Sequence, residues 1–557
     1  MSEEKKSLNF IEQIIEQDVN DGLNTDQLCF RFPPEPNGYL HIGHAKAITL
    51  NFGLGKKYNA PVNLRFDDTN PEAEEQEFVD SIKEDIAWLG FQWANERYAS
   101  DYFDQLYQWA IQMIKEGKAY VDDQTSEQIV SQRTSPTEPG IESPFRNRSV
   151  EENLMLFEKM ANGEGSSVLR AKVDMNHTNM NMRDPVMYRI LNRAHHRTGT
   201  KWKIYPMYDW AHGQSDYIEG ISHSLCSMEF ENHRPLYDWY KNQVEVHQND
   251  NKPKQREFAR GNVAYMITSK RKLKRLVEKG FVKGWNDPRM PTIAGLRRRG
   301  YTPESIISFW ESAGIAKREN LLEINKLEFE VRNHLNKISQ RRMVVVDPIK
   351  IIIDNYPENQ TEYLATENNP EDENAGNREV PFGKELYIEK DDFMENASNK
   401  FFRLTLGGEV RLKSGFIIKG ESVDKDAEGN IQTVHVTYDP LSKSGSGTPE
   451  SQRKVKGTIH WVATSHAIPL QLNLYDRLFT VESPDDQEGD ILDYVNPESL
   501  IIKRGFAEPS LKDAPQNEHF QFTRVGYFFE DKDSTLENKI FNKTVGLKDT
   551  WAKVEGK

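Results

Sequence analysis

The chain has 557 residues, 37% hydrophobic and 10% aromatic, with a formal net charge of −15. That length exceeds a single core, so about three to five domains are expected, and no apolar run is long enough to span a bilayer. Two cysteines cannot build a disulfide framework, and the charged start MSEEKKSLNFIEQIIEQDV has no signal-peptide core, so a cytoplasmic location is expected.

Residues 1–26 form a helical lead ending near Asp21-Gly22. Residues 28–32 then read as a buried strand that Pro33, Pro34 and Pro36 must stop. Gly38 and Gly43 allow backbone to approach a ligand closely, and residues 45–50 resume at helical spacing. A strand, a tight turn and a helix start make a phosphate site. His41 and His44 stand at that helix start as hydrogen-bond donors; the plainer readings are a zinc pair or two surface histidines. Zinc lacks partners, because there is no HExxH and only Cys29 and Cys226 are present. A second strand at 61–66 ends in Asp67-Asp68-Thr69-Asn70-Pro71, at the strand end where open α/β sheets bind ligands. Residues 74–89 are helical, with Phe78, Ile82, Ile86 and Leu89 on one stripe.

Past residue 100 this alternation breaks. A helix over 101–115, a strand at 119–121 and a Pro/Ser/Arg-rich loop lead to a helix opened by a Ser149/Glu152 capping box. Strands near 168–173 and 186–190 follow, interleaved with arginines and Lys172, and residues 101–205 read as an inserted domain. The parallel sheet is expected to resume at 204–210. His212, Asp216, Glu219 and the segment 225–230 then form either a pocket or a buried, satisfied polar network. Residues 27–100 and 206–262 together make a Rossmann-like parallel-sheet domain.

Residues 263–340 read as a helical subdomain, with helices opening at Pro303 and spanning 320–338. Beyond Asp347 the period becomes two, with strands at 349–354, 385–389, 403–413, 431–438, 457–462, 470–475, 500–503 and 520–529 and a hairpin turn at 426–430. Such runs argue for β-barrels, two of them within 341–557. The basic runs at 270–275, 297–299 and 341–342, set against acid at 366–373 and 485–490, suggest one cationic face able to hold nucleic acid.

The run PPEPNGYLHIGH, ending in His41-Ile42-Gly43-His44, is similar to the signature of the class I aminoacyl-tRNA synthetases, in the form of their glutaminyl and glutamyl members. Ser269-Lys270, within Ile267-Thr268-Ser269-Lys270-Arg271, stands where the family carries its KMSKS signature. Glutaminyl members commonly have VMSKR, so Thr268 replaces a methionine, and Gly261 stands where leucine is usual. The resemblance covers nearly the whole chain.

It implies ATP-dependent attachment of glutamine to glutamine-isoacceptor tRNA, through a glutaminyl-adenylate, by a monomer without a membrane partner. Mg²⁺ would arrive on the nucleotide, with no structural metal. His41, His44 and Lys270 would stabilise developing charge. Glu35, Pro36, Asn37, Ile42, Gly43, Ala45, Lys46 and Ala47 would join them around ATP, as would Ser227, Arg260, Gly261, Thr268 and Ser269. Asp67 would take the α-amino group, while Arg31, Tyr208, Cys226 and Gln255 would line the side-chain pocket. Glutamate-charging relatives place arginine where Cys226 stands; Cys226 reads equally as a small core residue.

The inserted domain would grip the acceptor stem, with Asn232 in place of an aspartate that reads its base pairs. The two barrels would read the anticodon, the chain leaving one for the other and returning. Lys317, Arg341, Lys400, Arg403, Arg411, Lys413, Gln521 and Arg524 match tRNA-reading positions, Lys413 replacing arginine and Lys400 a glutamine. Three rivals stand beside this reading: a glutamyl enzyme with barrels, a small HxGH nucleotidylyltransferase and a non-catalytic tRNA-binding paralogue.

Overall fold

The computed structural model describes residues 7–244, 253–398 and 400–548. Two units divide the chain: Met1–Asn262 with Trp310–Leu322, and Val263–Phe309 with Glu323–Lys557.

In the first unit, strand Phe30–Phe32 pairs in parallel with Val62–Phe66, which pairs in parallel with Glu96–Tyr98. Phe30, Phe32, Leu64 and Phe66 are all buried, as expected of a sheet covered on both faces. Helix Ile42–Tyr58 follows the proline loop, and helix Gln76–Trp88 buries Val79, Ile82 and Ile86. The loop is tied down by backbone, Asp67 N–H donating to the Pro34 carbonyl at 3.0 Å and Glu75 N–H to that of Pro36 at 3.2 Å. A further parallel pair, His223–Ser227 with Lys254–Phe258, is stitched to the first strand where Ser222 N–H meets the Cys29 carbonyl at 3.0 Å.

The expected return of the parallel sheet at 204–210 is not what forms. Strand Ile204–Pro206 runs antiparallel to Val186–Ile190 and completes a four-stranded antiparallel sheet with Val168–Ala171 and Ala119–Asp122. Residues after it form helix Tyr208–Ile218. A short apolar run does not separate strand from helix; the polar spacing does, since Tyr208, His212, Asp216 and Glu219 recur every three to four residues on one helix face. The Ser149 cap is half a capping box: Glu152 N–H donates to Ser149 Oγ at 3.1 Å, but the Glu152 carboxylate turns to Arg148 at 3.3 Å. A helix absent from the sequence reading, Ser126–Arg133, has the complete box from Thr125 and Gln128.

In the second unit, the helix expected from residue 320 begins at Ile324 and ends at Ile338. Two seven-stranded sheets follow. One runs in the order Gln340–Arg342, His519–Phe522, Gly526–Glu530, Lys539–Val545, Ile468–Tyr475, Leu500–Ala507, Val344–Val345. Its two end strands are consecutive in the chain, so the sheet closes on itself. The other begins with Thr458–Ile459 and ends with Val462–Ala463, and closes by the same device. Each barrel has its own core, one around Ile351, Phe382 and Trp461, the other around Leu472, Phe522 and Phe541. The chain therefore starts one barrel at residue 340, builds the other, then returns.

The basic runs are less free than their sequence suggests. Lys272 pairs with Asp485 at 2.9 Å and Arg275 with Asp490, so the acid at 485–490 engages two cations of helix Lys270–Glu278. Arg298 pairs with Asp531 at 2.8 Å and Arg299 donates to the carbonyls of Thr544 and Tyr475, both at 3.2 Å. These particular cations therefore also hold the unit together.

Candidate active site

His41 is the N-cap of helix Ile42–Tyr58. Its Nδ1 accepts the Gly43 N–H at 3.2 Å while His44 Nδ1 accepts the His41 N–H at 3.1 Å, a reciprocal cap made of two imidazoles. Accepting at Nδ1 places the ring proton on Nε2, so each histidine keeps one N–H to donate. The rings lie 3.8 Å apart. Burial and the nearby Arg260 press His44 down to about 4, and burial, His44 and Arg260 hold His41 well below the usual histidine range. Two neutral donors at a helix N-terminus suit a phosphate gaining charge, since both stay fixed in protonation as it does so.

Opposite this turn lies the loop 259–261. Lys46 is buried and donates Nζ to the Ala259 carbonyl at 2.7 Å and more weakly to that of Arg260 at 3.4 Å. Burial lowers its ammonium to about 8. Lys46 thus acts on the loop. A Cβ on Gly43 would meet the Gly261 carbonyl at 3.2 Å. Of the other residues matched to ATP, Ile42, Ala45 and Pro36 are buried, Ala47 and Asn37 are partly exposed, and Glu35 is exposed with its carbonyl accepting Asn37 N–H at 2.8 Å. Ser227 ends its strand opposite Phe258, and Arg260 pairs with Glu229.

The second cluster gathers at the carboxyl ends of the strands. Asp67 takes Arg65 Nε at 2.9 Å and His212 Nδ1 at 3.1 Å; burial alone would raise its carboxyl, but Arg65 and His212 hold it below the usual range. Burial, then Asp67 and Cys226, push the Tyr208 hydroxyl far up, so it stays protonated between them. Its ring stacks on His212 at 4.7 Å. Burial holds the Cys226 thiol at about 12, a neutral group whose Sγ lies 3.8 Å from the Arg256 carbonyl. Gln255 donates to the Phe230 carbonyl and to Glu257, both at 3.0 Å.

Arg31 lies within reach of Tyr208 and Cys226 electrostatically, and its own guanidinium is tied down beneath them. It is fully buried, donating to Asp216 at 3.1 Å, the Leu225 carbonyl at 2.7 Å and Ser224 Oγ at 2.6 Å. It forms the floor of the cluster. Arg65, which the sequence reading passed over, joins Asp67 to Asp216 at 2.8 Å and Glu219 at 3.4 Å. Its signal was the period of two that puts Arg65 on the same strand face as Asp67. Two guanidiniums therefore meet three carboxylates, leaving the cluster acidic.

Among the described residues, Asp68, His195 and His196 have the spacing of a metal site. The protons do not fit one. His195 Nδ1 accepts the amides of Arg197 and Thr198, both at 3.2 Å, so Nε2 carries the proton and gives it to the Asp68 carbonyl at 2.8 Å. No His195 lone pair is left for a cation.

A family model described as tRNA synthetases class I (E and Q), catalytic domain, matches residues 27–337, and two anti-codon binding domain models match 339–439 and 458–531. The chain belongs to this family. It is 54% identical to the glutamine–tRNA ligase of Rhodopirellula baltica, across 100% of this chain and 92% of the relative. With the enzyme of the same name from Clostridium perfringens it shares 52% over 99% and 100%, and with that of Escherichia coli O157:H7 53% over 100% of both.

The remaining positions matched to the class I synthetases lie as follows. In the second unit, Thr268, Ser269 and Lys270 are partly exposed, with Ser269 at the N-cap of helix Lys270–Glu278. Arg341 is buried, and its guanidinium donates to the Ser339 carbonyl at 2.6 Å and to the carbonyl and Oδ1 of Asn336, both at 2.9 Å. Gln521 sits beside it in register and donates to Tyr527 Oη at 2.9 Å. Asp392 collects Arg524, at 2.6 and 2.7 Å, and Arg403, at 3.3 Å. Arg411 donates to the carbonyls of Ser442 and Ser451, both at 2.8 Å. Lys413 is partly exposed and Lys400 exposed. A cavity of about 570 Å³ opens beside Arg403, lined also by Phe401, Lys454 and Lys456, and the neighbouring Phe402 is 59% exposed. In the first unit, Asn232 is exposed, its carbonyl taken by Asn179 at 2.7 Å, and Lys317 lies 5.1 Å from the Phe10 ring.

Proposed function

We propose that this protein attaches glutamine to its tRNA using ATP. The glutamine carboxylate attacks the α-phosphorus, the bond to pyrophosphate breaks, and the tRNA 3′-terminal hydroxyl then attacks the activated carbonyl and releases AMP. Such chemistry needs positioning and charge stabilisation more than covalent help. His41 and His44 donate Nε2–H to the phosphate as its charge redistributes, each worth about 3 kcal/mol by analogy with oxyanion donors. Mg²⁺ enters with the nucleotide and screens its phosphates. Lys270 supplies a point charge for departing pyrophosphate, a role resting on the Ser269-Lys270 signature. Asp67, held ionised, takes the α-ammonium.

The observation that carries the choice of amino acid is the charge of the pocket. Arg31 and Arg65 are committed to Asp67, Asp216 and Glu219, and Cys226 is neutral. A γ-carboxylate would add a fourth anion, whereas an amide can both give to and take from the Tyr208 hydroxyl. The half of the chain that builds the barrels binds the anticodon arm, with Phe402 as a stacking surface and Arg403, Lys454 and Lys456 beside it. The enzyme works as a monomer in the cytoplasm. ATP–pyrophosphate exchange with glutamine and with glutamate, each with and without tRNA, tests this reading. Exchange must be specific for glutamine; equal exchange with glutamate would reject it.

A further inference from the structure

Gly261 is buried and has no room for a side chain. A Cβ built there would lie 2.4 Å from Trp310 Cη2 and 3.0 Å from Cζ2 and Cζ3. Real carbons do not approach that closely, and the obstacle is the ring of a tryptophan only 2% exposed, which has nowhere to retreat. The indole occupies the volume into which any residue at 261 would grow.

The same ring touches the other fastening of this loop. Lys46 Nζ lies 5.7 Å from the Trp310 ring centre and 5.9 Å from that of Phe258, between two aromatic faces, while it donates to the carbonyls of Ala259 and Arg260. Cation–π attraction at such distances favours the ammonium. Ala259 N–H in turn donates to the Ala316 carbonyl at 2.8 Å, six residues beyond Trp310. On its far side, the Gly261 carbonyl closes on Gly43, between the two histidines. The loop is therefore pressed between the indole and the first turn of helix Ile42–Tyr58.

We propose that Trp310 is a positioning residue for the nucleotide site: it interlocks with Gly261 and sets the distance from the 259–261 loop to Gly43 and the histidine pair. This rests on the reading of that turn as the ATP site. The pair also accounts for glycine at 261, since a larger residue there and an indole at 310 exclude each other.

The test is a double-mutant cycle on the full-length enzyme in ATP–pyrophosphate exchange with tRNA present. Gly261→Ala adds only the clashing carbon and should raise KM for ATP at least tenfold, with KM for glutamine moving less than twofold. Trp310→Leu opens the space, so adding Gly261→Ala in that background should cost less than twofold in KM for ATP. Equal fold-changes in both backgrounds would overturn the proposal. So would coupling seen only in the melting temperature with KM for ATP unmoved, because the pair would then be packing alone. His44→Ala is run alongside. If it too leaves exchange unaltered, the placement of the nucleotide site has failed; if it slows exchange while the cycle is additive, the failure belongs to Trp310.

Discussion

Glu74 illustrates how a single residue reports on its surroundings. Burial first, then the charges of Asp68, Glu35 and Asp67, raise its carboxyl to about 9 against the opposing Asn70 N–H. A group whose folded value lies above its unfolded one contributes stability in full below pH 4.5, and that contribution declines as pH rises toward 9. Glu74→Gln should therefore flatten the fall in melting temperature between pH 6 and 8.5 and stabilise the protein at the upper end. An unchanged slope would mean that the carboxyl is ionised throughout. His41 and His44 predict the reverse kind of result: burial holds both below the usual histidine range, so single-turnover activation should show no inflection near 6.5 from this pair. Cys226 stands opposite Glu257 in register, and Glu257 already holds Arg234 at 2.7 Å. Cys226→Arg brings a cation into the pocket and should raise the glutamate-to-glutamine ratio of kcat/KM by roughly tenfold, about 1.4 kcal/mol. No shift in a folded variant would place Cys226 outside the pocket.

Among the elements, residues of one type divide by how they are held. Arg341 and Arg403 both match anticodon-reading positions, but Arg341 caps the end of helix Ile324–Ile338 with its guanidinium buried, while Arg403 is 43% exposed in its side chain. Arg341→Ala removes the donor to the Ser339 and Asn336 carbonyls, Asn336 Oδ1 keeping Tyr527 Oη at 3.2 Å, and should cost about 2–4 kcal/mol in denaturant unfolding. An unmoved unfolding midpoint with lost charging would show that Arg341 serves only the tRNA. The strands at 385–389 and 431–438 were legible to the residue because their alternation is regular and turns bound them. Strands Glu362–Glu367 and Asn377–Phe382 were not, since charge on one face masks their period. In the site, the histidines and Asp67 were legible from motif and strand end. Arg65, Trp310 and the turn of Arg31 toward Asp216 were not, because each depends on partners about 50 to 190 positions away in the chain.

At the scale of the whole molecule, a chain with net charge −15 binds a polyanion by local arrangement. Part of the basic sequence is internally paired, as with Lys272 and Asp485, while Lys454 and Lys456 line the cavity beside Arg403. Among the described residues, the consecutive segments at 340–345 and 458–463 each supply both end strands of a seven-stranded sheet, which is how each barrel closes. The most direct measurement is to charge total cellular tRNA with glutamine or with glutamate, protect the acylated ends from periodate, and sequence what survives. The predicted result is protection of glutamine-isoacceptor tRNA with glutamine alone. Protection of glutamate isoacceptors, or equal protection by both amino acids, would contradict it.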